Sequence, residues 1–209
     1  MTVTDGGPTD GDRAAGEAPA SDVLRRRTRD CHDAVEGCVR VSERLCEADR
    51  YAELLAYFAR TLRPVEAWLA AHAVAVAVDG ATPMGGVAML EADLRAVGRG
   101  DLLSRDAASE TSFDPGGQSA ADVFGVLYVV EGSALGGQMI ARSAGDALGV
   151  TAARGASFFA RGGQDGMAGW RAFKADLNDR VRERHDIDRC VASARATFTH
   201  FIRMAETLP

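Results

Sequence analysis

"RRRTRDCHDAVE", residues 25–36, sets four functional side chains at helical spacing. His32 follows Arg25 by seven positions and Arg29 by three, and precedes Glu36 by four. At about 100° per residue these four fall within an arc of roughly 60°. Leu24, Thr28, Cys31, Val35 and Val39 lie immediately beside that arc, so the chemistry occupies one edge of a buried helical face. The recurrence of Leu24, Thr28, Cys31, Val35 and Cys38 at three and four predicts a first helix, capped by Ser21 and running to about Val41.

The same period continues along the chain. "ADRYAELLAYFARTLRPVEAWLAAHA", residues 48–73, is helical, and Pro64 is expected to kink or split it. "VAMLEADLRAVG", residues 87–98, predicts a shorter helix ended by Gly98. "SRDAASETSFDPGGQ", residues 104–118, is polar, ends in turn chemistry and is read mostly as loop. Ser119, with Asp122 three residues on, opens a long helix to about residue 149. Two more helices are predicted at about 167–184 and 186–206. Alternating strand patterns are nearly absent, "VAVAV" at 74–78 being ambiguous. The fold class is all-α, without internal repeats. Residues 1–20, rich in Gly, Pro, Asp and Thr, cannot offset the entropy of ordering and are expected to form a disordered tail before one domain at 21–209.

Composition narrows the function. At 209 residues and 46% apolar content, the chain can bury one good core. The net charge of −6 argues against a nucleic-acid partner. No apolar run approaches the roughly 20 residues of a membrane span, the longest candidates being 123–130 and 70–78. The first twenty residues have no cationic segment followed by an apolar one, so they do not read as a secretory signal. A cytoplasmic location is expected. Cys31, Cys38, Cys46 and Cys190 lack metal-site or disulfide-scaffold spacing and read as buried free thiols, with Cys31 and Cys38 stacked on one face.

A neutral imidazole gives one ring nitrogen to a metal, and a carboxylate one turn away accepts the proton on the other, fixing the tautomer. His32 and Glu36 have that relation. Arg29 and Arg25, one and two turns back, would face anionic groups on whatever carries the metal. A porphyrin with two propionates fits this pattern. The other histidines, His72, His185 and His200, read as structural or solvated, and no ExxH pair of a di-iron bundle occurs.

A second feature sits in "LYVVEGSALGGQMIARSA", residues 127–144. Gly132, Gly136 and Gly137 lie inside an otherwise good helix, each costing about 1 kcal/mol relative to alanine. Gly132 and Gly136 share a stripe with Tyr128, Met139 and Ser143. Such a stripe admits either a neighbouring helix or a flat ligand close to the backbone, with the Ser133 hydroxyl supplying a polar contact. Phe124, Trp170, Phe173, Phe198 and Phe201 read as core, one or two of them lining the ligand pocket.

Together, "LRRRTRDCHDAVE" (24–36), "LYVVEGSALGGQ" (127–138) and, more faintly, "GWRAFKADL" (169–177) resemble the heme oxygenase family, in particular its bacterial branch, which includes enzymes found with bacterial phytochromes. The resemblance implies an all-helical fold with heme b, at once cofactor and substrate, held between a proximal helix and a kinked distal helix. It implies cleavage of heme by dioxygen and electrons to biliverdin, carbon monoxide and ferrous iron. His32 corresponds to the axial iron ligand, with Glu36 as its partner. Arg25, Arg29 and Lys174 correspond to propionate-facing groups, and Tyr128 to a pocket residue. Gly132, Gly136 and Gly137 correspond to the distal glycines. Ser133 stands where the animal enzymes carry an aspartate of the oxygen-activating water network; the "EGS" form also occurs in the bacterial branch, where serine and water would substitute.

A neutral histidine pushes less electron density onto iron than a thiolate does, which directs the oxygen chemistry to the porphyrin edge. No flavin or nicotinamide motif is present, so electrons would come from a reductase, a ferredoxin or a small donor such as ascorbate. A phytochrome would be a natural acceptor for the bilin. The departure at Ser133 keeps open a carrier or sensor that binds heme or bilin without turnover, and a thiaminase-like enzyme of the same helical superfamily ranks last.

Overall fold

A computed structural model describes residues 18–72, 85–103, 112–163 and 166–209. Among these residues the chain forms nine α-helices: α1 (Ala20–Arg27), α2 (Arg29–Val39), α3 (Val41–Arg44), α4 (Ala48–His72), α5 (Gly86–Ala96), α6 (Ala120–Leu148), α7 (Ser157–Ala160), α8 (Gly166–Arg180) and α9 (Arg184–Ala205). A 3₁₀ turn spans Gly100–Leu103. The expected all-α class is the one observed. Most of the expected tail, residues 1–17, and the ambiguous "VAVAV" run lie outside the described residues.

The first expected helix divides at Thr28, whose backbone (φ −120°, ψ 2°) leaves the α region. Bonds from Thr28 N to Leu24 O and from His32 N to Thr28 O carry the chain across the join. The Thr28 hydroxyl also donates to Leu24 O at 2.8 Å, the back-bonding by which buried threonines bend helices. Arg195 on α9 braces the join, donating to Arg27 O and to both carboxylate oxygens of Asp30. Ser21 is not the cap: Pro19 occupies that position, and Ser21 is buried with its N–H donating to Asn178 Oδ1.

α4 runs unbroken through Pro64. Pro64 lacks the N–H that would bond to the carbonyl of Arg60, and the adjacent carbonyl, Thr61 O, is met by His200 Nε2 at 3.0 Å. α6 opens on the expected capping box, with Ser119 Oγ accepting from Asp122 N and Asp122 Oδ2 accepting from Ser119 N. Gly149 ends it in the left-handed conformation (φ 70°), which costs glycine nothing.

α6 and α9 form the central pair. Their close approach rests on Gly125, where a Cβ would collide with the Cys190 carbonyl oxygen and lie 3.0 Å from Ala194 N. α6 is long and apolar enough to cross a bilayer by length and composition, beyond what the short runs in its sequence indicated. In the fold much of that apolar surface is spent on protein, with Val123, Phe124, Val126 and Leu127 fully buried.

The thiols divide. Cys31 and Cys190 are buried, whereas Cys38 and Cys46 are exposed. The expected core role of Cys38 is therefore not observed. Close to the end of α2 it is the next residue, Val39, that turns inward, to 1% exposure. Burying a side chain of that size contributes roughly 1.5–3 kcal/mol.

Candidate heme site

α2 and the middle of α6 form opposite walls of a cleft of about 570 Å³. Arg25, Thr28, Arg29, His32, Val35 and Glu36 line one wall; Tyr128, Gly132, Ser133, Leu135, Gly136 and Ile140 line the other. Phe58 from α4, Trp170 from α8, and Phe198 and Phe201 from α9 line it as well. The lining is mainly apolar, with cations at one edge and an imidazole on one wall.

His32 Nδ1 lies 3.8 Å from Glu36 Oε1 and 4.0 Å from Asp33 Oδ1. Both separations exceed a hydrogen bond. The carboxylates thus stand on the Nδ1 side of the ring, leaving Nε2 as the nitrogen available to a metal. Phe198 meets the imidazole edge-on, with ring centroids 6.2 Å apart. His32, Asp33 and Glu36 are all exposed, as befits the wall of an open cleft.

Arg25 and Arg29 reach the cleft edge. Arg29 is 83% exposed and its nearest acid, Asp33, is 3.9 Å away, a contact worth little in water, so its guanidinium can turn to an anionic group of a ligand. Burial pushes the Tyr128 phenol above its ordinary value, while Thr28 and Arg25 beside it act in the opposite direction. Tyr128 thereby joins the α1–α2 junction to the far wall. Its ring lies 5.5 Å from that of Trp170.

The three glycines do different things. A Cβ on Gly136 would meet nothing within 4 Å, and one on Gly132 only the Trp170 ring, at 3.7 Å. At these two positions the α6 backbone is open to the cleft, with room for a flat group beside it. Gly137 is absent from the lining: a Cβ there would be 2.6 Å from Phe159 O. Its small size lets α7 pack on the back of α6. Lys174 also lies outside the lining, with its Nζ 5.9 Å from the centroid of the Trp170 ring.

α6 remains helical across all three glycines. At its middle, Val130 O accepts from the Ser133 hydroxyl at 2.6 Å and from Arg161 Nη2 at 3.4 Å. Such extra donors on a helix carbonyl accompany bending. Arg161, just after α7, also donates to Ser133 Oγ at 2.9 Å. Neither Arg161 nor Phe58 was singled out from sequence. Arg161 stands in a short irregular segment, 28 residues from its serine, where periodicity carries no signal.

The remaining histidines are occupied elsewhere. His72 stacks on Trp68 at 4.5 Å and reaches its carbonyl, and His185 sits beside Asp186 at the surface. His200 is buried, and that burial first of all lowers its pKa.

A histidine on one wall faces two open glycine positions on the other across a largely apolar cleft with cations at its rim, a helical site that can admit a flat, anionic, metal-bearing ligand. Residues 18–207 match the family model for heme oxygenase. Over 155 residues the chain is 32% identical to the heme oxygenase of Xanthomonas campestris pv. campestris, covering 74% of this chain and 88% of the relative. The chain belongs to the heme oxygenase family. Its fold is similar to that of the heme oxygenase from Neisseria meningitidis, solved with NO and CO bound (TM-score 0.73, 19% identity, 91% of this chain and 92% of that one). It is also similar to heme oxygenase 1 from the cyanobacterium Synechocystis in complex with heme (TM-score 0.67, 18% identity, 91% and 92%). The enzyme from Leptospira interrogans aligns comparably (TM-score 0.66, 19% identity, 91% and 100%).

Proposed function

We propose that the cleft binds heme b and that the chain cleaves it to biliverdin, carbon monoxide and ferrous iron, using dioxygen and electrons from outside. The observation that carries this reading is the pairing of His32 with the open backbone at Gly132 and Gly136 across one cleft. Bound heme supplies the iron that activates dioxygen and the macrocycle that is oxidised.

The protein's share is orientation, exclusion and proton control. His32 Nε2 would hold the iron, with Glu36, or Asp33 beside it, accepting a hydrogen bond from Nδ1–H and so fixing the tautomer. Arg25 and Arg29 pair with the propionates and set the in-plane seating, and Tyr128 closes the same edge. Lys174, outside the lining but with its Nζ 5.9 Å from the Trp170 ring centre, would add positive charge near the cleft. Gly132 and Gly136 would let the macrocycle approach the α6 backbone closely and so restrict where its edge can be attacked. Gly137 supports this wall from behind. Ser133 supplies the hydroxyl through which water is ordered.

A reductase, a ferredoxin or ascorbate serves as electron donor, and a bacterial phytochrome is a natural acceptor of the bilin. We place the protein in the cytoplasm. Hemin titration of the wild-type chain and His32→Ala tests the binding half of this reading. The wild type gives a saturable one-to-one Soret complex with imidazole-ligated character, and the variant loses it until imidazole is added. Identical spectra would remove His32 from the iron.

A further inference from the structure

Arg161 is a part-buried cation whose two terminal nitrogens both donate to protein groups. Nη1 donates to Phe158 O at 2.9 Å; Nη2 donates to Ser133 Oγ at 2.9 Å and to Val130 O at 3.4 Å. Its guanidinium carbon lies 3.9 Å from the centre of the Phe158 ring. Burial pulls its pKa down to about 10, against the opposing influence of Glu131 and Glu66. Holding a part-buried cation on carbonyls and a hydroxyl is costly unless its geometry serves something.

The consequence falls on Ser133. A serine hydroxyl has one hydrogen to donate and two lone pairs to accept with. Val130 O is only an acceptor, so the 2.6 Å contact takes the Ser133 hydrogen. Arg161 Nη2 is only a donor, so the 2.9 Å contact takes one lone pair. One lone pair is left, on a residue that lines the cleft.

We infer that Arg161 is a positioning residue that locks Ser133 as a pure acceptor toward the cleft, so that Ser133 orders a water donating to it and does not itself donate to the ligand site. The ordered water has a second hydrogen, and that hydrogen points into the distal space. Proton delivery therefore runs through water oriented by the Arg161–Ser133 couple, a neutral acceptor backed by a cation. This rests on the heme reading above and specifies how its distal wall works.

The test uses carbon monoxide as a probe on the ferrous heme complex of the full chain. The C–O stretching frequency reads hydrogen bonding at the distal site, and it is compared in the wild type, Arg161→Met, Arg161→Lys, Ser133→Ala and the Ser133→Ala/Arg161→Met double variant. Ser133→Ala and Arg161→Met each raise the frequency, and the double variant matches Ser133→Ala alone. Arg161→Lys, which keeps the charge but not the fork, behaves like Arg161→Met and stands in for it if that variant does not fold. Biliverdin formation falls by roughly tenfold in both single variants, the size of one buried charge-assisted hydrogen bond. A frequency that ignores Arg161 overturns the inference, as does an Arg161→Met shift that persists undiminished in the Ser133→Ala background. A wild-type chain that forms no Soret complex would bring down the heme reading and this inference together; a normal complex with an unresponsive frequency brings down the inference alone.

Discussion

Gly136 and Gly137 are neighbours that face different surroundings: a side chain on Gly136 would project into open space, and one on Gly137 would run into the Phe159 carbonyl at 2.6 Å. Substitution should separate binding from folding. Gly136→Ala leaves stability unchanged or raises it by up to about 1 kcal/mol through helix propensity, while Gly136→Leu fills the cleft and weakens hemin binding. Gly137→Ala costs about 1–3 kcal/mol, as overpacking does. Urea unfolding and hemin titration of the three variants check this; equal losses of stability at both positions would contradict it.

Gly125 is the contact point of the central helix pair. Its hydrogen faces the Cys190 carbonyl and the Ser193 Cβ, the latter 3.0 Å from a Cβ built at this position. Gly125→Ala has to separate α6 from α9, and the expected loss is at least the roughly 1–3 kcal/mol of core overpacking. A thermal unfolding midpoint equal to that of the wild type would contradict that packing.

Acid should weaken the brace at the α1–α2 join. The Arg195 guanidinium, hydrogen-bonded to Asp30, lowers that carboxyl from 3.8 to about 2. Because the folded value lies below the unfolded one, the stabilisation is present above pH 3.8 and disappears as pH falls toward about 2. Asp122 acts in the same direction: burial opposes its charge, but bonds from Ser119, Arg189 and Ser193 hold its carboxyl below the ordinary value. Asp30→Asn should therefore flatten the decline in urea midpoint through this acid window, relative to wild type. Parallel pH profiles would show that the Asp30–Arg195 bridge contributes nothing.

On the proposed reading, the rim cations would set the seating of the macrocycle. Arg25→Ala combined with Arg29→Ala weakens hemin binding by roughly tenfold, the size of one or two charge-assisted contacts at a partly exposed edge, and broadens the mixture of biliverdin isomers. Lys174→Ala, outside the lining, has the smaller effect of the two. Chromatography of the products with parallel titrations measures both; an unchanged isomer ratio and affinity in the double variant would leave the arginines as solvated helix residues.

Much of this was legible in local pattern. The Ser119 and Asp122 capping box is a four-residue code, and it opens α6 where it stands in the sequence. Arg29, His32 and Glu36 meet at one cleft because helical spacing places them on one edge of α2, and Arg25 joins them from α1 across the join at Thr28. What periodicity cannot convey is the other side of a contact. "GG" does not say which glycine faces a ligand and which faces α7. Pro64 reads as a break, yet α4 continues where His200 from α9 reaches a carbonyl in its preceding turn. Cys38 lies on the right stripe, but the helix end hands the inward position to Val39. Arg161 is defined by Ser133 and Val130, both on another helix.

The most direct measurement is an absorption time course of the purified chain with one equivalent of hemin, followed after addition of ascorbate or of a reductase with NADPH, in the presence of catalase and an iron chelator. The account predicts that the Soret band decays while a broad red biliverdin band grows, in the wild type but not in His32→Ala. A Soret band that persists unchanged, or one that bleaches at the same rate in both proteins without a bilin product, would contradict it.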